Sequence, residues 1–183
     1  VNGTFRTVAP VVLLGSVAGE GLSVAEVALV MSAFIAGGAV MQYPLGALSD
    51  RLPRRTVLIL TTVGAIATSF GMAFATGNAI EWVIASGFLF GGFAMPIYAL
   101  SMAHANDLAE PDAFVEVAAG LFLVFGIGEM IGPLLEATMV TWYGSAALFY
   151  YISTVHSVLL AFTLYRITRR PIAADQERRG FVG

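Results

Sequence analysis

The stretch from Thr56 to Ala75 carries no charged side chain, and it is one of several such stretches along the chain. A helix rises 1.5 Å per residue, so about 20 apolar residues are needed to cross about 30 Å of hydrocarbon. Six segments fit or approach that description: 5–17, 24–45, 56–75, 80–103, 113–140 and 146–165. Burying this much apolar surface in one soluble core is not feasible. Of 183 residues, 58% are hydrophobic and 11% charged, against about 25% charged in a soluble domain. Lipid must therefore be part of the solvent. The expected fold class is an all-α membrane protein with six transmembrane helices. Residues 1–166 form the bundle and 167–183 a polar cytoplasmic tail. The first segment is short and contains Pro10, and the chain begins with Val, which leads to the expectation of an N-terminal truncation.

Charge placement gives the orientation. The nine cations are all Arg. If six segments alternate sides, one set of connections comprises 46–55, 104–112 and the tail. It holds Arg51, Arg54, Arg55, Arg166, Arg169, Arg170, Arg178 and Arg179. The other set, 18–23, 76–79 and 141–145, holds no Arg. Excess Lys and Arg marks the cytoplasmic side, so the basic loop and the tail are expected there. Trp82, Trp142 and Tyr143 then fall at the outer interface, where amphipathic rings are favoured.

On charge alone, the island Gly46–Arg55 is a topogenic loop. Read physically, Gly46 would allow close helix approach, and Asp50 would accept hydrogen bonds at the start of the following helix. Arg51, Arg54 and Arg55 would pair with Asp50, helix C-termini or lipid phosphates. The pattern Gly46-x-Leu48-Ser49-Asp50-Arg51-x-x-Arg54-Arg55 resembles the cytoplasmic signature loop of the major facilitator superfamily, with Pro53 where that pattern has Gly. The segments MQYPLGALSDRLPRR (41–55), GGFAMPIYALSMAHANDLAEPDAFVEVAAG (91–120) and GIGEMIGPL (126–134) resemble the C-terminal half of its YcaD-like branch, as does the tail RRP…ERRGFV. The resemblance covers nearly the whole chain. It implies one six-helix half, helices 7 to 12, of a twelve-helix secondary transporter, with the N-terminal half as its partner. It further implies a gating role for Gly46, Asp50, Arg51, Arg54 and Arg55, which latch neighbouring helices in the outward-facing state. The expected cargo is a small solute, with protons as the coupling ion.

Polar residues within the spans supply the remaining candidates. Intramembrane ionisable groups are functional candidates by default. If the first segment is helix 7, as the resemblance implies, Arg6 sits within the span and faces a cavity or a partner, the alternative being one more cytoplasmic-side charge; Gln42, at the inner end of the second segment, is a further candidate for the cavity lining. Glu129 and Glu136 are seven residues apart, within about 20° on one helix face, and are candidate substrate or proton sites. For Glu136 the bland alternative is snorkelling to the outer interface. His104, Asn106, Asp107 and Glu116 form a polar cluster at the inner ends of the fourth and fifth segments. It is either a gate or helix capping. Small-residue pairs, Gly37-Gly38, Gly87-x-x-x-Gly91 and Gly128-x-x-x-Gly132, suit close helix packing in lipid. Pro96 and Pro133 are candidate kinks.

Several classes are excluded or disfavoured. With no Cys, disulfides and thiolate metal sites are impossible. A lone His among carboxylates does not make a metal site, and no cofactor is expected. No GxxxxGK[ST] loop is present for ATP hydrolysis. The split basic residues do not suggest nucleic acid. Ser86-Gly87 with His156 could suggest an intramembrane serine protease, but Ile84 stands where that motif needs Gly, so no enzyme is expected. The alternative from another class is a non-transporting membrane scaffold that keeps the half-fold.

Overall fold

A computed structural model describes residues 23–75, 79–144 and 146–169. Segment one with Arg6, and the tail beyond Arg169, lie outside the described residues. Five stretches there are helical, long and apolar enough to cross a membrane. They are α1 (Val24–Arg51), α2 (Arg54–Ala75), the pair α3 (Ile80–Ala94) and α4 (Pro96–Leu108), α5 (Phe114–Tyr143) and α6 (Ala146–Arg169). A single 3₁₀ turn, Pro111–Ala113, joins α4 to α5. No strand occurs among the described residues. These five correspond to the second to sixth expected segments, and the first lies outside the described residues.

Helix ends follow the local chemistry. Ser23 caps α1 by accepting from the Glu26 N–H at 3.3 Å, while its own N–H donates to Glu26 Oε2 at 2.8 Å. This reciprocal box satisfies two otherwise orphaned donors. Gly144, with φ of 84°, ends α5 and donates to the Val140 carbonyl at 2.9 Å. Pro96 has no N–H, so the fourth span breaks at Met95 into α3 and α4. Pro133 stays inside α5 without ending it.

The basic island is not a ten-residue loop. α1 continues through Gly46–Arg51, and α2 already starts at Arg54. Only Leu52 and Pro53 intervene. The Pro53 carbonyl accepts from Thr56 at 2.8 Å and Val57 at 3.3 Å, so Pro53 opens α2 rather than forming a wide turn. At 28 residues, α1 is about 42 Å long, more than the hydrocarbon thickness, so its polar last turns can project beyond it.

The core is built on two helix pairings. α1 crosses α3 with their backbones in contact: a Cβ at Gly37 would strike the Phe88 carbonyl, and one at Gly91 the Phe34 carbonyl. Only glycine permits that approach, and it brings the Phe34 and Phe90 rings to 5.6 Å. α2 packs on α6 through a buried polar clasp. Ser69 Oγ donates to the Phe149 carbonyl at 2.8 Å, with Ser153 Oγ 3.0 Å from Ser69 Oγ. Around these pairings lie Val57, Met72, Ile97 and Ile152, all buried. α5 is peripheral, with only Gly132 and Glu136 buried along it.

Candidate functional site

The end of the bundle that carries the basic island also holds the end of α4. Arg54, in the first turn of α2, reaches across to Asp107 near the end of α4, with Nε 2.6 Å from Oδ2. The same guanidinium lies 3.9 Å from Asp50, one helical turn back on α1. One cation thus bridges three helices through two carboxylates. The Arg54 and Asp107 side chains are only 25% and 22% exposed, whereas Asp50 is 74% exposed. The Asp107 contact is therefore the less screened of the two and the stronger. Under it, Ser49 is buried at the end of α1, and its Oγ has no hydrogen-bond partner among the described residues. The Oδ1 of Asn106 is in the same position.

Two readings of the island change. Among the described residues nothing stands within 4 Å of a Cβ placed at Gly46, so no described helix makes the close approach expected there. Asp50 does not cap the following helix. It occupies the last turn of α1 and faces Arg54 from outside. Arg51 is exposed and Arg55 half-buried. Of the cluster on the fourth and fifth spans, Asp107 joins Arg54. His104 and Asn106 are half-buried on α4, and Glu116 is exposed in the first turn of α5. No group of three or more His, Cys, Asp or Glu side chains that could hold a metal occurs among the described residues.

The intramembrane candidates separate. Glu136 does not snorkel: it is 4% exposed and faces α6, close enough to Tyr151 for the two to interact electrostatically. One of its oxygens has no hydrogen-bond partner among the described residues. Glu129 is half-buried, and Gln42 is exposed on α1. Gln42 lies on α1, whereas Glu129 and Glu136 lie about 10 Å apart along α5. What the sequence reading lacked was the pairing of Arg54 with Asp107. Each residue was singled out, but 53 positions separate them and no periodicity links them. The Ser69–Ser153 clasp was also missed, because a Ser in an apolar span looks the same whether it bonds its own carbonyl or a neighbour's.

The family model described as Major Facilitator Superfamily matches residues 1–182. The chain is 32% identical over 147 residues to the MFS-type transporter YfkF of Bacillus subtilis, covering 79% of this chain and 37% of that protein. It is 28% identical over 156 residues to the MFS-type transporter YcaD of Escherichia fergusonii, covering 84% and 40%. A third relative, an MFS-type transporter of Yersinia enterocolitica, is 28% identical over 182 residues, covering 93% and 44%. The chain spans about two fifths of the length of these curated relatives.

Proposed function

The chain belongs to the major facilitator superfamily, a family of transporters rather than enzymes, and on that premise we propose that it forms the C-terminal half of a secondary transporter. The complete protein moves a small solute by alternating access, with its two six-helix halves rocking about a site near the midplane. The observation that carries this reading is the Arg54 bridge. It ties the α1–α2 junction to the end of α4, on one face of the bundle, where such a molecule must open and close. Asp50, Arg51, Arg54, Arg55 and Asp107 act as a latch that favours the outward-facing state. The Arg asymmetry supports placing this latch and the tail in the cytoplasm of a bacterial inner membrane.

The exposed faces of α1 and α5 support an opposing half as partner. Met130, Leu134 and Val40 are 75%, 70% and 59% exposed. Gln42 and Glu129 lie on those two helices and are candidates for the solute path, as is Arg6. Glu129 and Glu136 are the candidates for proton exchange. Impermeant maleimide labelling of the full-length protein with Gln42→Cys tests the transport reading. The chain itself offers no competing thiol. Transport predicts that the thiol reacts from either side of the membrane, depending on the state. Reaction from one side only, under every condition, would leave a static scaffold.

A further inference from the structure

A cavity of about 160 Å³ lies between α4, α5 and α6, lined by Tyr98, Ser101, Met102, Leu121, Val124, Phe125 and Leu159. Tyr98, Ser101 and Met102 are spaced i, i+3, i+4, as are Leu121, Val124 and Phe125. Each triplet is one face of a helix. Measured along the three helices from the basic end, the lining residues sit at similar depths, roughly 10–16 Å in. The cavity begins immediately after the break at Met95–Pro96, and interrupted membrane helices frequently border ligand sites.

Two details distinguish it from a packing gap. Most helical Ser and Thr hydroxyls in the bundle bond their own backbone, as Thr62 does to Leu58 at 2.7 Å and Thr163 to Leu159 at 2.8 Å. Ser101 makes no such bond among the described residues, and it lines the cavity. Its hydroxyl and that of Tyr98 are the hydrogen-bonding side-chain groups in a largely apolar wall. Tyr98 and Phe125 meet across the α4–α5 gap as a tilted pair, with ring centroids 5.0 Å apart and planes at 56°, and so form one aromatic patch on the cavity wall.

The geometry points to a binding site for a small uncharged ring compound with one hydroxyl or carbonyl, its ring against Tyr98 and Phe125 and its polar group on Ser101. The size agrees, since an apolar cavity of roughly 150 Å³ admits benzene. A charged ligand is disfavoured, because the lining offers no counter-charge. This assignment does not depend on transport, because occupancy can be read whether or not a solute crosses.

The test is photolabelling of the full-length protein in lipid nanodiscs with a phenol bearing a trifluoromethyl-diazirine, using para-cresol as competitor and peptide mapping as readout. Label is expected at Tyr98–Met102 and Leu121–Phe125, displaced by para-cresol. Ser101→Ala should raise the cresol concentration needed about five- to tenfold, the worth of one buried hydrogen bond. Leu121→Trp, which fills the cavity, should remove the label. Val158→Trp, at a position 65% exposed on α6, should not. Should Leu121→Trp fail to fold, Ser101→Ala still decides. Label spread evenly over Met130, Leu134 and Phe162, or label that para-cresol does not displace, would mean lipid partitioning and would overturn the assignment.

Discussion

Arg54 and Asp107 show how much a single pairing can carry. The contact is short, and three quarters of each side chain is shielded from solvent. Removing one charge leaves the other in a partly desolvated site, which costs more than loss of an exposed pair. Asp107→Asn should lower the thermal stability of the purified protein by about 1–2 kcal/mol, and Asp50→Asn by much less, since Asp50 is exposed and 3.9 Å away. Equal losses in a melting assay would show that the two carboxylates share the work. Gly46 provides a contrast. With no atom of the described residues within 4 Å of its Cβ position, Gly46→Ala should be neutral or stabilise by up to about 1 kcal/mol. Glu136 carries a separate prediction. In liposomes with an imposed pH gradient, Glu136→Gln should reduce gradient-driven flux more than Glu129→Gln if the buried acid is the proton site. The reverse order would assign that role to Glu129. Charge and identity at all these positions were legible in the sequence. Which carboxylate Arg54 chooses was not, because that depends on how α2 and α4 are placed.

At the scale of elements, the five described spans were legible to within about six residues, because lipid demands about 20 apolar residues whatever the tertiary context. The ends were less so. The polar run 46–55 looked like a connection, yet helical hydrogen bonding costs nothing extra beyond the hydrocarbon, and α1 runs on to Arg51. The Gly pairs likewise signalled close packing without saying against what. Gly37 and Gly91 meet the backbones of Phe88 and Phe34, whereas a Cβ at Gly87 has only ordinary contacts. Gly91→Val must therefore separate α1 from α3 and should destabilise by about 2–4 kcal/mol, while Gly87→Ala should cost less than about 1. Chemical or thermal unfolding in detergent would rank them. A Gly91→Val protein as stable as wild type would contradict the observed backbone contact.

At the scale of the molecule, the exposed apolar surface is the dominant fact. Large hydrophobic side chains stand open along α1, α5 and α6, among them Met130 at 75% and Val158 at 65% exposure. Lipid can cover part of that surface and an opposing half the rest, consistent with a chain that spans about two fifths of its relatives. The latch proposed for Arg54 and Asp107 would then have a mechanical meaning. A contact worth about 1.4 kcal/mol in one state alone shifts a two-state balance about tenfold. Single-cysteine accessibility in the full-length protein tests this most directly, with thiols placed on either side of the latch against the protein's cysteine-free background in this chain. Asp107→Asn should raise labelling from the basic-loop side about five- to tenfold and lower it from the opposite side. The exchange Arg54→Asp with Asp107→Arg should restore the wild-type ratio. Labelling rates unchanged on both sides by Asp107→Asn would contradict the role of the Arg54–Asp107 contact in gating.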